Sequence, residues 1–199
     1  MKTENRTADR VLVILLKEPF AMHTVTSIAK ALNITRQGIW KTLNKLAENK
    51  IINLEYVGNA KTSTATMKLN WINPITEKTL SLILTKESLK QQRWRVNLAE
   101  LGNNASFLIL FGSILNNSKE AKDIDILAVV NKKKFKVIEE ITSKVQQTQL
   151  KNIHLVDLTE REFSQELKKP NKAYLDAVKK GVILYGQDNF IQFMRDLQK

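Results

Sequence analysis

Residues 106–130 read SFLILFGSILNNSKEAKDIDILAVV. Ser106–Phe111 is a short, continuous apolar run closed by Gly112, which reads as a buried strand. Asp123-Ile-Asp125 opens a second apolar strand that runs to Val130. Side chains alternate along a strand, so Asp123 and Asp125 flank Ile124 on one face, with their Cα atoms about 7 Å apart. Two carboxylates 4 Å apart repel by about 4 kcal/mol at an effective dielectric near 20. A Mg²⁺ ion removes that repulsion, and it commonly joins one or two carboxylates to substrate phosphates. Gly112 lets the backbone approach such phosphates closely, while the Ser113 amide and hydroxyl can donate to them. The pattern predicts a strand, a phosphate-facing turn and a metal-holding pair of acids.

"LFGS" after one strand and "DIDIL" opening the next resemble the DNA polymerase beta-like nucleotidyltransferase superfamily, in particular its minimal prokaryotic members. The resemblance covers roughly residues 103–199, including a helix around Phe135–Gln147, a strand over Asn152–Leu158 and the closing Gly181-Val-Ile-Leu-Tyr-Gly186. It implies the fold class α/β (α+β), a mixed sheet flanked by helices. The resemblance implies that Gly112 and Ser113 bind the nucleotide. It also implies that Asp123 and Asp125 are the catalytic metal ligands, with Mg²⁺ or Mn²⁺ and a nucleoside triphosphate as cofactors. Catalytic members generally add a third carboxylate on a neighbouring strand. The matching position here holds His154, and Asp157 lies on the other face. The arginine that often follows the Gly-Ser turn is replaced by Ile114-Leu-Asn-Asn117.

Outward in the other direction, Val25, Ile28, Ala29 and Leu32 share one helical face. Ile34-Thr35 interrupts the pattern, with Thr35 a good N-cap and Ile34 placed to staple onto Ile39. The next helix buries Ile39, Leu43 and Leu46, leaving Arg36, Gln37, Lys41, Asn44 and Lys45 elsewhere on its surface. Two β-prone runs around Gly58-Asn-Ala-Lys61 predict a hairpin. The segment TVTSIAKALNITRQGIWKTLNKLAENKII resembles a winged helix-turn-helix domain. Many members end the recognition helix on a glycine where this chain has Lys50, and Asn49 is expected to supply the left-handed residue. The resemblance implies DNA contacts by Thr35, Arg36, Gln37, Lys41 and Asn44, with Lys61 on the wing. His23 is expected at the surface or as a capping residue.

Asn73-Pro74 restarts a helix, with Asn as cap and Pro at its first position. The helical pattern continues to Leu101, and Gly102-Asn-Asn-Ala105 is expected to end it. The domains are therefore set at 1–72 (winged helix), 73–102 (helical connector) and 103–199 (nucleotidyltransferase-like). The connector serves as a linker or as a dimer interface, and a homodimer is expected.

Composition bounds the chemistry. The 199 residues carry no cysteine and two histidines, which excludes disulfides, zinc-thiolate sites and thiol nucleophiles. No apolar run approaches the roughly 18 residues of a membrane span, so a soluble, cytoplasmic protein without a membrane partner is expected. The net charge is +12, pointing to a polyanion. Half of it comes from residues 1–70, with 11 basic against 5 acidic side chains. The run Lys132-Lys-Lys134 reads either as a solvated helix start or as an attractor for triphosphate or RNA. Two functional expectations follow. The first is a prokaryotic transcription regulator that binds double-stranded DNA and carries a nucleotide- and magnesium-binding domain. The alternative is an active nucleotidyltransferase acting on a protein or RNA acceptor, in a toxin-antitoxin setting. A third is a catalytically dead assembly module.

Overall fold

The computed structural model describes residues 2–58, 64–169 and 172–198, and divides into two units. The first comprises Met1–Ile83 with Gln198–Lys199; the second is Leu84–Leu197.

The first unit runs α1 (Lys2–Lys17), α2 (Val25–Leu32), α3 (Arg36–Glu48), β1 (Ile52–Val57), β2 (Thr64–Leu69) and the first half of α4 (Pro74–Leu89). Thr24 starts α2 through a reciprocal cap. Its hydroxyl accepts from the Ser27 amide and the Ser27 hydroxyl accepts from the Thr24 amide. Asn33, at φ 54°, takes the left-handed turn that ends α2. Two residues on, Thr35 caps α3 by accepting from the Gly38 amide at 3.2 Å. α3 then buries Ile39, Leu43 and Leu46, the stripe its spacing predicts.

The end of α3 departs from expectation. Asn49 stays at φ −78°, and Lys50 itself turns left-handed at φ 55°. The helix closes in a Schellman-type turn, with the Ile51 amide donating to the Leu46 carbonyl at 2.9 Å. Asn70 and Asn73 both donate their side-chain amides to the Lys50 carbonyl, at 2.8 and 3.0 Å. These bonds fix Lys50's peptide.

β1 and β2 pair antiparallel from Ile52↔Leu69 to Val57↔Thr64. A single bridge, Thr24↔Thr66, stitches the start of α2 to this hairpin. His23 is correspondingly buried, not at the surface. Its Nε2 lies 3.0 Å from the Glu18 carbonyl, and its own carbonyl accepts from the Met67 amide. Gln198 closes the unit, accepting from Trp71 Nε1 at 2.9 Å and donating to the Leu15 carbonyl at 3.0 Å.

In the second unit the latter part of α4 is followed by α5 (Gln92–Asn97) and α6 (Ala99–Asn104). α6 ends within the stretch 102–105, at Asn104, but Gly102 is not itself the stop. That residue lies inside α6, buried, where a Cβ would come within 2.3 Å of the Tyr185 ring. The remaining elements are β3 (Phe107–Phe111), β4 (Asp123–Val129), α7 (Phe135–Gln146), β5 (Asn152–Leu158), α8 (Glu160–Lys168), α9 (Lys172–Lys180), β6 (Val182–Tyr185) and α10 (Gln187–Leu197). They form a mixed sheet in the order β5-β4-β3-β6, flanked by helices. β3 is antiparallel to both β4 and β6, and β4 is parallel to β5.

The strand period sorts the core into two halves. Leu108, Leu110, Ile124 and Ile126 pack with Ile138 and Ile141 of α7 and with Trp94, Leu98 and Leu101. On the opposite face Phe107 meets Phe163, Phe190 and Phe193 of α8 and α10, with ring centroids 5.4–6.1 Å apart. Asp123 and Asp125 belong to this second face by parity. They stand at the sheet end where β3 leaves and β4 enters.

Candidate functional site

β3 delivers Phe111 opposite Asp125 in the antiparallel register, so the chain must turn immediately beside that carboxylate. Gly112 makes the turn at φ 81° and ψ −164°, a region open in practice only to glycine. A Cβ on Gly112 would lie 2.0 Å from Asp125 Oδ2. The missing side chain is therefore what admits the carboxylate against the backbone. Ser113 follows, exposed, at the start of a short 3-10 turn over Ser113–Leu115.

The parallel β4–β5 pairing places His154 directly opposite Asp125. The imidazole faces both acids, with Nδ1 3.6 Å from Asp125 Oδ1 and Nε2 4.0 Å from Asp123 Oδ1. The acids are partly buried, while His154 on the outer strand is mostly exposed. Gly112, Ser113, Asp123, Asp125 and His154 thus meet at one end of the sheet. Asp157 pairs with Ala128, three positions further along and on the other face.

Sequence reading missed Lys151. Its ammonium donates to the carbonyls of Ala121 and Lys119, just before Asp123. The Gln146 side chain in turn holds Lys151 and Ile153 through their backbone groups. Together they tie the 112–122 loop to the start of β5. Nothing local in the sequence marks Lys151, because its partners lie about 30 residues away. Lys132–Lys134 fall beyond the far end of β4, where the charge of Lys132 acts on Glu162. At about 3.3 Å per residue, β4 separates them from Asp123 by some 20 Å, so an attraction of triphosphate to the acid end does not follow.

Two carboxylate oxygens suit Mg²⁺ or Mn²⁺, which take up oxygen ligands and leave positions for phosphate. Among the described residues no group of three His, Cys, Asp or Glu side chains is gathered closely enough to hold a metal ion by itself. The pair beside Gly112 fits an ion that arrives with phosphates completing its coordination.

In the first unit, Arg36 and Gln37 line a cleft of about 440 Å³ with Trp40, Tyr56, Thr24 and Thr26. Lys41 and Asn44 line a different one, about 690 Å³, whose wall also carries Asp9 and Glu48. Thr35, Arg36, Gln37 and Lys41 are exposed and Asn44 half-buried. Lys61 lies outside the described residues. No described helix is long and apolar enough to cross a membrane.

Residues 96–190 match the family described as Polymerase beta, Nucleotidyltransferase. No curated protein and no solved structure matches the chain.

Proposed function

We propose, from the nucleotidyltransferase-like domain at residues 96–190 and the helical unit before it, that the protein is a DNA-binding transcriptional regulator whose second domain takes a nucleoside triphosphate with a divalent metal. In this reading residues 1–72 are a winged helix-turn-helix domain, 73–102 a connector and 103–199 the nucleotidyltransferase-like domain. Two copies address one duplex site.

One observation carries the DNA reading. The capped α2–turn–α3 arrangement leads into an antiparallel hairpin, and α3 buries Ile39, Leu43 and Leu46 while exposing Arg36, Gln37 and Lys41. Such a helix supplies side chains to the major groove, and phosphate contacts from neighbouring cations fix its register. Arg36 and Gln37 carry more of the contact than Lys41 and Asn44, whose cleft also presents Asp9 and Glu48. The test is duplex binding across a salt series. Each lost phosphate contact, Arg36→Ala first, should lower the log–log slope by about 0.9. An unchanged slope in Arg36→Ala and Lys41→Ala would sink the reading.

At the second domain, Asp123 and Asp125 would hold the metal, which neutralises phosphate charge when bound. The Ser113 amide and hydroxyl donate to the triphosphate, and Gly112 keeps the backbone low enough for it to approach. Lys151 holds the loop that joins the turn to the acids.

The imidazole of His154, facing both acids from the next strand, favours a second reading as an active enzyme. An acceptor hydroxyl on protein or RNA would attack the α-phosphorus. The new O–P bond forms as the bond to the β-phosphate breaks, pyrophosphate leaves, and the hydroxyl proton passes to solvent. α-Labelled nucleoside triphosphates offered to wild type and to the Asp123→Ala/Asp125→Ala double variant decide it. Label on a macromolecule that vanishes in the variant establishes transfer, while nucleotide binding without transfer leaves the regulator. Absence of both leaves an assembly module.

A further inference from the structure

Two carboxylates alone make an all-oxygen donor set, the kind Mg²⁺ accepts together with substrate phosphates and water. His154 changes that set. Atoms bound to one ion at about 2.1 Å stand no more than about 4.2 Å apart. The 3.6 Å from Nδ1 to Asp125 Oδ1 and the 4.0 Å from Nε2 to Asp123 Oδ1 both fall inside this limit. Either ring nitrogen is therefore near enough to share an ion with the carboxylate it faces once the ring or the carboxylate turns to aim a lone pair at it. The register makes the placement a property of the sheet rather than of a loop, because His154 pairs with Asp125 along seven paired positions from Asp123↔Asn152 to Val129↔Leu158. His154 is also on the outer strand and 62% exposed, so packing does not lock its ring in one rotamer.

Imidazole nitrogen suits first-row transition ions, whereas Mg²⁺ is suited by oxygen. We propose that His154 is a metal-selecting ligand, and that the Asp123–Asp125 site takes a divalent transition ion, Mn²⁺ foremost, ahead of Mg²⁺. The three side chains do not close a cage unaided, so selection is exerted on the metal–nucleotide complex, with phosphate oxygens supplying the remaining ligands. The inference rests on the reading of the two acids as the metal-holding pair and adds the nitrogen donor to it.

The experiment uses the full-length protein with Mn²⁺ and nitrogen-15-labelled ATP, so that any nitrogen-14 modulation in the electron spin echo comes from the protein. Affinities for Mn²⁺–ATP and Mg²⁺–ATP are measured alongside by calorimetry. Wild type should show nitrogen-14 modulation and prefer Mn²⁺–ATP by about tenfold or more, the scale on which even outer-shell groups act on metal sites. His154→Asp should abolish the modulation and bring the two affinities together while keeping metal–nucleotide binding. His154→Ala should lose both modulation and preference. Binding without modulation, and with the same Mn²⁺-to-Mg²⁺ ratio in His154→Asp, overturns the inference and leaves the acid pair in place. If neither complex binds wild type any better than it binds the Asp123→Ala/Asp125→Ala variant, the underlying reading fails, and the inference fails with it.

Discussion

Gly112 stands with its α-carbon so close to Asp125 that any side chain there would overlap the carboxylate, 2.0 Å from Oδ2. Backbone angle and contact point the same way, since φ 81° with ψ −164° is closed in practice to other residues. Gly112→Ala should destabilise the second unit by about 1–3 kcal/mol and push Asp125 off its position. Chemical denaturation measures the first effect. ATP binding in the presence of Mn²⁺ measures the second, and should fall more than stability alone explains. Full nucleotide affinity in a folded Gly112→Ala protein would contradict the role given to this turn.

Gly102 presents a contrasting case. In a helix interior alanine normally gains about 1 kcal/mol over glycine. Here the added methyl meets the Tyr185 ring at 2.3 Å, and Tyr185 is fastened by its hydroxyl to the Arg95 carbonyl and by its ring under the Arg95 guanidinium. Overpacking of this kind costs about 1–3 kcal/mol. We expect Gly102→Ala to lower the Tm by several degrees, at about 2–4 °C per kcal/mol. A gain in Tm would show that the ring yields.

Lys50 pays for its left-handed backbone, a conformation that costs a side-chain-bearing residue about 1–2 kcal/mol. Lys50→Gly should stabilise the first unit by about 0.5–1 kcal/mol after the extra entropy of glycine in the unfolded chain is subtracted. Urea denaturation of the two proteins reads this directly. The hydrogen bonds from Asn70 and Asn73 to the residue 50 carbonyl are unaffected by the change.

Acid should loosen α8 through Glu162. Its carboxylate accepts from the Thr159 amide at 2.9 Å and from the Thr159 hydroxyl at 2.7 Å. The backbone bond first, then the hydroxyl, with the charge of Lys132 in support, hold its pKa below the ordinary carboxylate value. A group lowered on folding contributes stability above its unfolded pKa and loses it as pH falls through the folded one. The protection factors of the amides at the start of α8, corrected for the intrinsic slowing of exchange in acid, should therefore fall as pH drops below the usual carboxylate range. Glu162→Gln should remove that pH dependence, and an identical acid response in the variant would rule out the cap as its source.

Local rules made much of this legible. The Thr35 cap and the Ile39, Leu43, Leu46 stripe are decided within one helix, and period two puts Asp123 and Asp125 on one face whatever surrounds them. Gly112 is visible because an apolar run stops on it. What escaped depends on distant partners. Asn49 is by propensity the better left-handed residue, yet the turn falls on Lys50, whose carbonyl is held by side chains 20 and more residues on. Gly102 looks like a helix terminator until Tyr185 is known to press on it. His23 looks exposed until the hairpin bonds its carbonyl. His154 could be matched by position along the strand, but its approach to both acids requires the parallel pairing of β5 with β4.

Gln198 belongs, through its bonds to Trp71 and Leu15, to the unit that the chain leaves at Ile83. The chain therefore crosses between its units twice, and the second is tethered at both ends rather than hung from one. While Gln198 is held, that unit unfolds as a closed loop and gains less conformational freedom than a free tail would. The pair of bonds made by this one amide acts as a clasp, and Gln198→Ala opens it without touching the sheet or the acid end.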